Sequence, residues 1–502
     1  MDLFKETVDS QTVWLDGTDA GVYLLSVSVC YWFENSANES PENFMPANVM
    51  KRAFYKTMEE FPILAGQLKA TSSSSRLYVE IDKDNLNMPS YTDRYCSLDY
   101  AAMRKSGFNI LKLPIDGLSR EYGPPVSSGL IRGKVEPAHF RIVRFKNNSG
   151  VLVFASIAHY ITDGYGYSQF MNRWAEIARW MQQQAKEDAG EPLPVRKYNH
   201  DRSFHRSYRS SKIIDLEPAV VRNLTADTAF SRAFAWLSPG MRARVLRAVS
   251  YATPRSSSFF HVSSAKMEEL RTKVQAHAPE GTRYTINDVI TAYLAIVVGQ
   301  AKEKAVTDWW SRPVPRIIRR MSGNRLGNPM DLVAAANINI RPRIDDPSAG
   351  EYVGNMVVGG STVFSRDEIQ QSPTKEALAA MALKVHRAIL AVDKQYIGQV
   401  GHLVSRHPGV NAWAMLQYAR KKNKLGISNQ FRFPHYGVDF GSGIPSMVRQ
   451  APHPFANSVF IMPDNPQTGG YLFEFNLAPD VEANLIANND WMQLVDGYSK
   501  YQ

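Results

Sequence analysis

Residues 151–174 read VLVFASIAHYITDGYGYSQFMNRW. Val151 to Ile157 is a mostly apolar run, which predicts a strand buried on both faces. Phe170, Trp174, Ile177, Ala178 and Met181 recur at helical spacing, which predicts an amphipathic helix from Ser168 to about Gln184. The strand delivers His159 to its end, Asp163 follows four residues later, and Gly164 comes next. An imidazole in that place is a general-base candidate near neutral pH, because its unperturbed pKa is about 6.5. Asp163-Gly164 supplies a turn, and a carboxylate there could fix the tautomer of the base or anchor the loop. The spacing alone is a weak signal: His435 and Asp439 repeat it without the glycine and without the strand–turn–helix setting.

Outward from this block, helix and strand patterns alternate in two sets. On the N-terminal side, Asn48–Glu60 has helical spacing, and Leu77–Ile81 and Phe140–Phe145 read as strands. On the C-terminal side, Thr285 and Thr374 are expected to cap helices, Ser458–Met462 and Tyr471–Phe475 to form a hairpin, and Val481–Leu494 to be a last helix. The stretch Ile214–Ser258 between them holds Pro239-Gly240, Pro254, Ser256-Ser257-Ser258 and several arginines. It reads as a solvated crossover, with a basic amphipathic helix on a membrane surface as the alternative. The expected organisation is an α/β (α+β) chain with an N-terminal domain over 1–213, a crossover over 214–258 and a C-terminal domain over 259–502.

Composition narrows the function classes. Of 502 residues, 44% are apolar and 21% charged, which excludes disordered, collagen-like and fibrous chains. The net charge of +10 suits a phosphorylated cofactor, a membrane surface or nucleic acid without choosing among them. Arg312, Arg316, Arg319, Arg320 and Arg325 form a second basic cluster, read as solvated surface. Cys30 and Cys96 are too few for a disulfide framework or a Cys-rich zinc site. The N-terminus lacks a secretory signal pattern, and the longest apolar runs fall short of the roughly 20 residues that span a bilayer, so a cytoplasmic protein is the default. There is no GxxxxGK[ST] or GxGxxG phosphate loop and no GxSxG elbow. Tyr160, Tyr165 and Tyr167 flank the base as channel or core residues, and Trp309-Trp310 reads as core or domain contact.

The run His159-Tyr-Ile-Thr-Asp163-Gly164 resembles the HxxxDG block of the BAHD acyltransferases and their fungal relatives. Val438-Asp439-Phe440-Gly441-Ser442-Gly443-Ile444-Pro445 is similar to the DFGWG block of that family. Arg341 with Tyr352-Val353-Gly354-Asn355 is similar to its Arg…YFGN region, and Phe61–Leu68 to its YPLAGRL strand. Four blocks in the family's order over residues 61–445 are far more specific than any one.

The resemblance implies two chloramphenicol-acetyltransferase-like domains, each a mixed sheet with flanking helices, and a channel that admits acyl-coenzyme A and a small-molecule acceptor. It implies His159 as the general base, with no acyl-enzyme, metal or bound cofactor; Asp163 as a structural residue paired with an arginine and turned away from the channel; Gly164 in the turn; Asp439 as a structural acid partnered by Arg341; and Gly441, Ser442 and Gly443 approaching the cosubstrate. Two departures stand out. Ser442 replaces the tryptophan of DFGWG, and Asn429-Gln430 stands where the family often has Ser-Trp. The amide of Gln430 could take over as oxyanion donor. The departures suggest a fungal-like branch. Transfer to a hydroxyl of a specialised metabolite or glycolipid is the leading expectation. Transfer to an amine, or a non-catalytic protein on the same fold, are the alternatives. Nucleic-acid binding has no motif to support it; a monomer is expected, with peripheral membrane contact as the less favoured alternative.

Overall fold

The computed structural model describes the chain except residues 1, 16, 23–24, 72–75, 115–133, 186–190, 213–236, 253–254, 312–315, 317–330, 407–422, 453–455 and 501–502. The patterns resolve into two mixed sheets with helices against them, and a small third sheet. The N-terminal sheet runs in the order β12 (Met447–Gln450), β2 (Ser26–Glu34), β7 (Gly150–Ala158), β6 (Ala138–Arg144) and β5 (Ser90–Tyr95). All nine residues of central β7 are buried, which is why its sequence shows no in–out alternation. The C-terminal sheet runs β10 (Val357–Phe364), β9 (Leu332–Asn339), β11 (Lys424–Asn429), β13 (Ser458–Pro463), β14 (Tyr471–Leu477), β8 (Ser256–Val262) and β15 (Gly497–Lys500). The third pairs β1 (Gln11–Trp14), β4 (Leu77–Ile81) and β3 (Gln67–Ala70).

The two large sheets are not independent. β12 comes from the C-terminal half yet pairs antiparallel with β2, placing Arg449 opposite Cys30 and Gln450 opposite Val29. The Ala47–Glu60 and Gly164–Gln184 helices cover one face of the N-terminal sheet through an aromatic core of Phe54, Phe140, Phe170 and Trp174. The second core surrounds the Ile286–Ser311 helix, whose Val289–Val298 stretch is buried on every side, with Trp491 inserted among Phe260, Phe473 and Phe475.

Several local expectations are met. Thr374 caps the Lys375–Leu390 helix. Thr285 and Asp288 exchange side-chain-to-backbone bonds at the start of the long helix. β13 and β14 form the hairpin. Others need correcting. The helix after His159 starts at Gly164, four residues before the apolar pattern suggests, because Asp163 caps it. The expected last helix is two, Pro479–Ile486 and Asn489–Leu494, since Asn488 caps the second. The Phe61–Leu68 segment is a strand only from Gln67; Pro62–Ala65 is a 3₁₀ turn, favoured by the fixed φ and missing N–H of Pro62. Trp309 is 39% exposed at the end of its helix rather than core. Residues 214–236 of the crossover, and Arg312, Arg319, Arg320 and Arg325, lie outside the described residues. Within the crossover, Pro239–Ala252 is helical. No helix among the described residues is long and apolar enough to cross a membrane.

Candidate active site

His159 follows the last residue of β7, and its backbone N–H bonds the Leu25 carbonyl at 2.8 Å. Its side chain is only partly buried, but Nδ1 is enclosed and has no hydrogen-bond partner among the described residues. Nε2 is therefore the ring nitrogen that is not enclosed. Burial pushes the imidazole below its ordinary pKa, while its own carbonyl, Asp163, Asn355 and Asp19 act in the opposite direction. The net effect is a neutral ring at pH 7, the form a general base needs.

The turn after His159 is held at nearly every residue. Asn355 Nδ2 donates to the His159 carbonyl at 2.7 Å. Arg202 Nη2 donates to the Ile161 carbonyl at 2.6 Å, and Thr162 Oγ1 to the Val353 carbonyl at 2.7 Å. Asp163 accepts from the backbone N–H groups of Tyr165 and Gly166 at 3.1 and 3.0 Å. Its other contacts are the Arg341 guanidinium at 2.7 and 3.1 Å and the Met356 N–H at 3.0 Å. Burial alone would raise the Asp163 carboxyl. The guanidinium and these backbone donors overcome it, and the pKa lies below the ordinary carboxylate range. Arg341 also donates to the Tyr352 and Gly354 carbonyls and sits 4.6 Å over the Tyr165 ring. Arg341 is thus the partner of Asp163, not of Asp439 as the sequence suggested. Asp163 lies inside the protein, and Asp439 does not reach that guanidinium.

Behind this pair stands a residue the sequence reading missed. Asp19 is fully buried and accepts from Arg202 Nη1 at 3.0 Å and from both the backbone and side-chain nitrogens of Asn355, at 3.0 and 2.8 Å. Asp19, Arg202 and Asn355 come from three distant parts of the chain and meet only in the fold. The Asn355 position lies within a quoted block, but no periodicity marks Asp19 or Arg202. Close packing explains both glycines of the turn. A Cβ at Gly164 would stand 2.6 Å from the Phe433 ring, and one at Gly166 would stand 2.2 Å from the Val353 carbonyl oxygen.

Phe433 belongs to the segment that also carries Gln430 and His435. Gln430 is buried, and its Oε1 accepts from Gln450 Nε2 at 2.9 Å and contacts His435 Nε2 at 3.3 Å. Its own amide nitrogen makes one long bond, 3.3 Å, to Ser428 Oγ. His435 is buried, with Nδ1 3.2 Å from the Tyr31 hydroxyl. Burial lowers its pKa to about 3. Asp439 Oδ1 accepts from the backbone N–H groups of Gly441 and Gly443 at 2.8 and 3.0 Å. Arg179 donates to the Asp439 carbonyl, and Gln182 Nε2 to the Phe440 carbonyl at 2.5 Å. Ser442 Oγ accepts from the Met45 N–H at 3.2 Å. The positive φ of Gly441 and Gly443, 98° and 90°, is what this tight turn requires. The loop docks at the far end of the helix that Asp163 caps: Gln182 is 18 residues past Gly164, about 27 Å along the axis. The geometry thus accounts for the two glycines through the turn around Asp439, without a ligand.

Residues 248–480 match the model described as the Transferase family. A hydroxycinnamoyltransferase of Narcissus pseudonarcissus is 20% identical over 479 residues, 94% of each chain. A putrescine hydroxycinnamoyltransferase 1 of Oryza sativa subsp. japonica is 23% identical over 478 residues, 93% of this chain and 92% of that one. The chain is thus similar to BAHD-type, coenzyme A-dependent acyltransferases over nearly its whole length. Its fold is similar too. The structure of F. graminearum TRI101 complexed with coenzyme A and deoxynivalenol matches with a TM-score of 0.68 at 15% identity, over 98% of this chain and 100% of that one. In this chain the HxxxDG block is a fastened turn at the end of β7, and its aspartate is spent on an internal ion pair.

Proposed function

We propose that this BAHD-type enzyme moves an acyl group from acyl-coenzyme A to a hydroxyl of a small specialised metabolite, with His159 as the general base. The observation that carries the reading is the neutral His159 at the end of β7, whose neighbouring carboxylate is turned away into Arg341. Nε2 takes the hydroxyl proton as the acceptor oxygen attacks the thioester carbonyl. The tetrahedral intermediate collapses and expels the coenzyme A thiolate, which recovers the proton from the imidazolium. The products are the ester and free coenzyme A. The thiolate leaves readily because a thiol has a pKa near 8.5, far below that of an alcohol. Gln430 is the oxyanion donor in this reading, supported by an amide nitrogen engaged only in one long bond. The fold neighbour complexed with coenzyme A and deoxynivalenol supports a donor-plus-alcohol pair.

The test is coenzyme A release from acetyl-, longer acyl- and hydroxycinnamoyl-coenzyme A in the presence of alcohol or amine acceptors. Turnover with alcohols is expected, together with a His159→Ala variant that still gains thermal stability from coenzyme A but does not turn over. Turnover confined to amines would replace the hydroxyl acceptor. A folded variant lacking His159 that keeps its rate would remove the base assignment.

A further inference from the structure

The interior holds a second polar cluster that the chemistry above does not use. Glu474 lies on β14, on the face turned away from the C-terminal core: its register partners across the sheet are Phe259 on β8 and Phe460 on β13, and Phe259 packs with the N-terminal core. Glu474 is fully buried, and neither carboxylate oxygen has a hydrogen-bond partner of normal geometry among the described residues. Arg449 and the Gln450 backbone N–H favour the anion, but burial outweighs them. Arg449 comes from β12, the strand lent to the N-terminal sheet. Its guanidinium lies 4.0 Å over the Phe259 ring, it is 5% exposed, and Nε and Nη1 have no partner among the described residues. Arg449 stands opposite Cys30 across the β12–β2 ladder, and burial, with Glu474 adding to it and Arg449 opposing, pushes the Cys30 thiol up. Two residues along β14, Asn476 Nδ2 is also buried without a partner, while its Oδ1 accepts from Ser257 Oγ at 2.7 Å.

An unpartnered buried polar group is costly, more so when charged, so native proteins rarely keep several in one place without a use. This cluster sits where the two sheets meet. Ser428, the residue Gln430 reaches, is opposite Phe460, which is in turn opposite Glu474; Ser428 and Glu474 are therefore two strand spacings apart, about 10 Å. Along the other sheet, Phe154 faces Cys30 and precedes His159 by five residues, about 16 Å of extended chain.

We infer that Glu474 and Arg449 form a ligand subsite for an uncharged group that presents a carbonyl oxygen beside an O–H or N–H donor. The guanidinium donates to the carbonyl oxygen, and the Glu474 carboxyl engages the donor. Burial raises the Glu474 pKa well above the usual carboxylate range, with Arg449 opposing, so a neutral acid is the form to expect. Such a group occurs in the amide arm of coenzyme A and in the hydroxyketone of an oxygenated acceptor. The assignment rests on the acyltransfer reading, and its test separates the two.

The probes are coenzyme A and deoxynivalenol, with binding followed by calorimetry on the wild type, Glu474→Gln and Glu474→Leu. Glutamine keeps a neutral acceptor and donor and should bind within a few-fold of wild type. Leucine should lose about tenfold to a hundredfold for one probe, the loss expected when a buried hydrogen-bonding group is deleted. Which probe weakens tells whether donor arm or acceptor occupies the subsite. Unliganded Glu474→Leu should melt no lower than wild type, because an unpaired buried acid has been replaced by an apolar side chain. Wild-type affinity for both probes in a folded Glu474→Leu protein would overturn the subsite while leaving the acyltransfer reading intact. An equal loss in Glu474→Gln would also overturn it, pointing to an ionised acid. A wild type that binds neither probe would remove both readings.

Discussion

The chain carries the same His-x-x-x-Asp spacing twice, and the two copies do different work. His159 ends a buried strand, and Asp163 caps the next helix and closes on Arg341. His435 is enclosed between Tyr31 and Gln430, and Asp439 staples a glycine turn near the surface. The first copy keeps part of its imidazole accessible and spends its acid on an internal ion pair. The second buries its imidazole and spends its acid on two backbone N–H groups. Four residues of spacing do not make a site; a strand end with a fastened turn does. The two copies nevertheless touch, since Phe433 packs on Gly164 and Asn172 Nδ2 donates to the Pro434 carbonyl.

The contrast predicts graded costs. Asp163→Ala leaves the Arg341 guanidinium buried and unpaired. It should lower unfolding stability by about 3–5 kcal/mol and reduce turnover with it, read by denaturant melts. An effect below 1 kcal/mol would mean the first acid is as peripheral as the second.

The next effect is on pH dependence. His435 is held neutral in the fold to about pH 3, and His200, also lowered by burial, to about pH 4. Both take up a proton in the unfolded chain near pH 6.5. Below that pH the unfolded state binds more protons, so stability falls as pH falls, by about 1.4 kcal/mol per unit for each histidine, until the folded pKa is reached. His435→Gln should flatten the stability–pH slope between pH 6 and 4 by roughly half of that combined slope. An unchanged slope would show that His435 titrates normally and is not enclosed.

Smaller costs belong to the second copy's loop. Gly441→Ala forces a side chain into a left-handed backbone and toward Gln182, which should cost about 1–2 kcal/mol. Asp439→Ala removes the acceptor of two backbone N–H groups at a half-exposed turn and should cost about 1 kcal/mol, with little change in the rate per folded molecule. A rate loss in Asp439→Ala comparable to that in Asp163→Ala would erase the distinction between the copies.

Much of this was legible in the sequence. The apolar run of β7, the helical stripe after it and the Thr374 cap are local patterns whose physical cause lies within a few residues, and the fold keeps them. His159 was legible because strand, turn and helix surround it. Partner choice was not. Arg341 is 98 residues from Asp439 and 178 from Asp163, and nothing in a linear reading says which acid it meets. Asp19, Arg202 and Asn355 fasten the turn from positions 19, 202 and 355, and their roles exist only once the sheets are assembled. Glu474 sits in Tyr471–Leu477, a run buried on both faces, where a lone acid reads as an edge or surface residue. β12 was likewise hidden, because four residues after a glycine turn give no sign that they will join the other domain's sheet.

The central claim is that one histidine of the two is the base. Coenzyme A release should therefore be measured side by side for folded His159→Ala and His435→Ala proteins at pH 7.5, with the same acyl donor and acceptor. A general base is worth about 10²–10⁴ in rate, so the first variant should fall by at least a hundredfold while the second stays within about tenfold of wild type. Equal losses, or a loss confined to His435→Ala, would contradict the account.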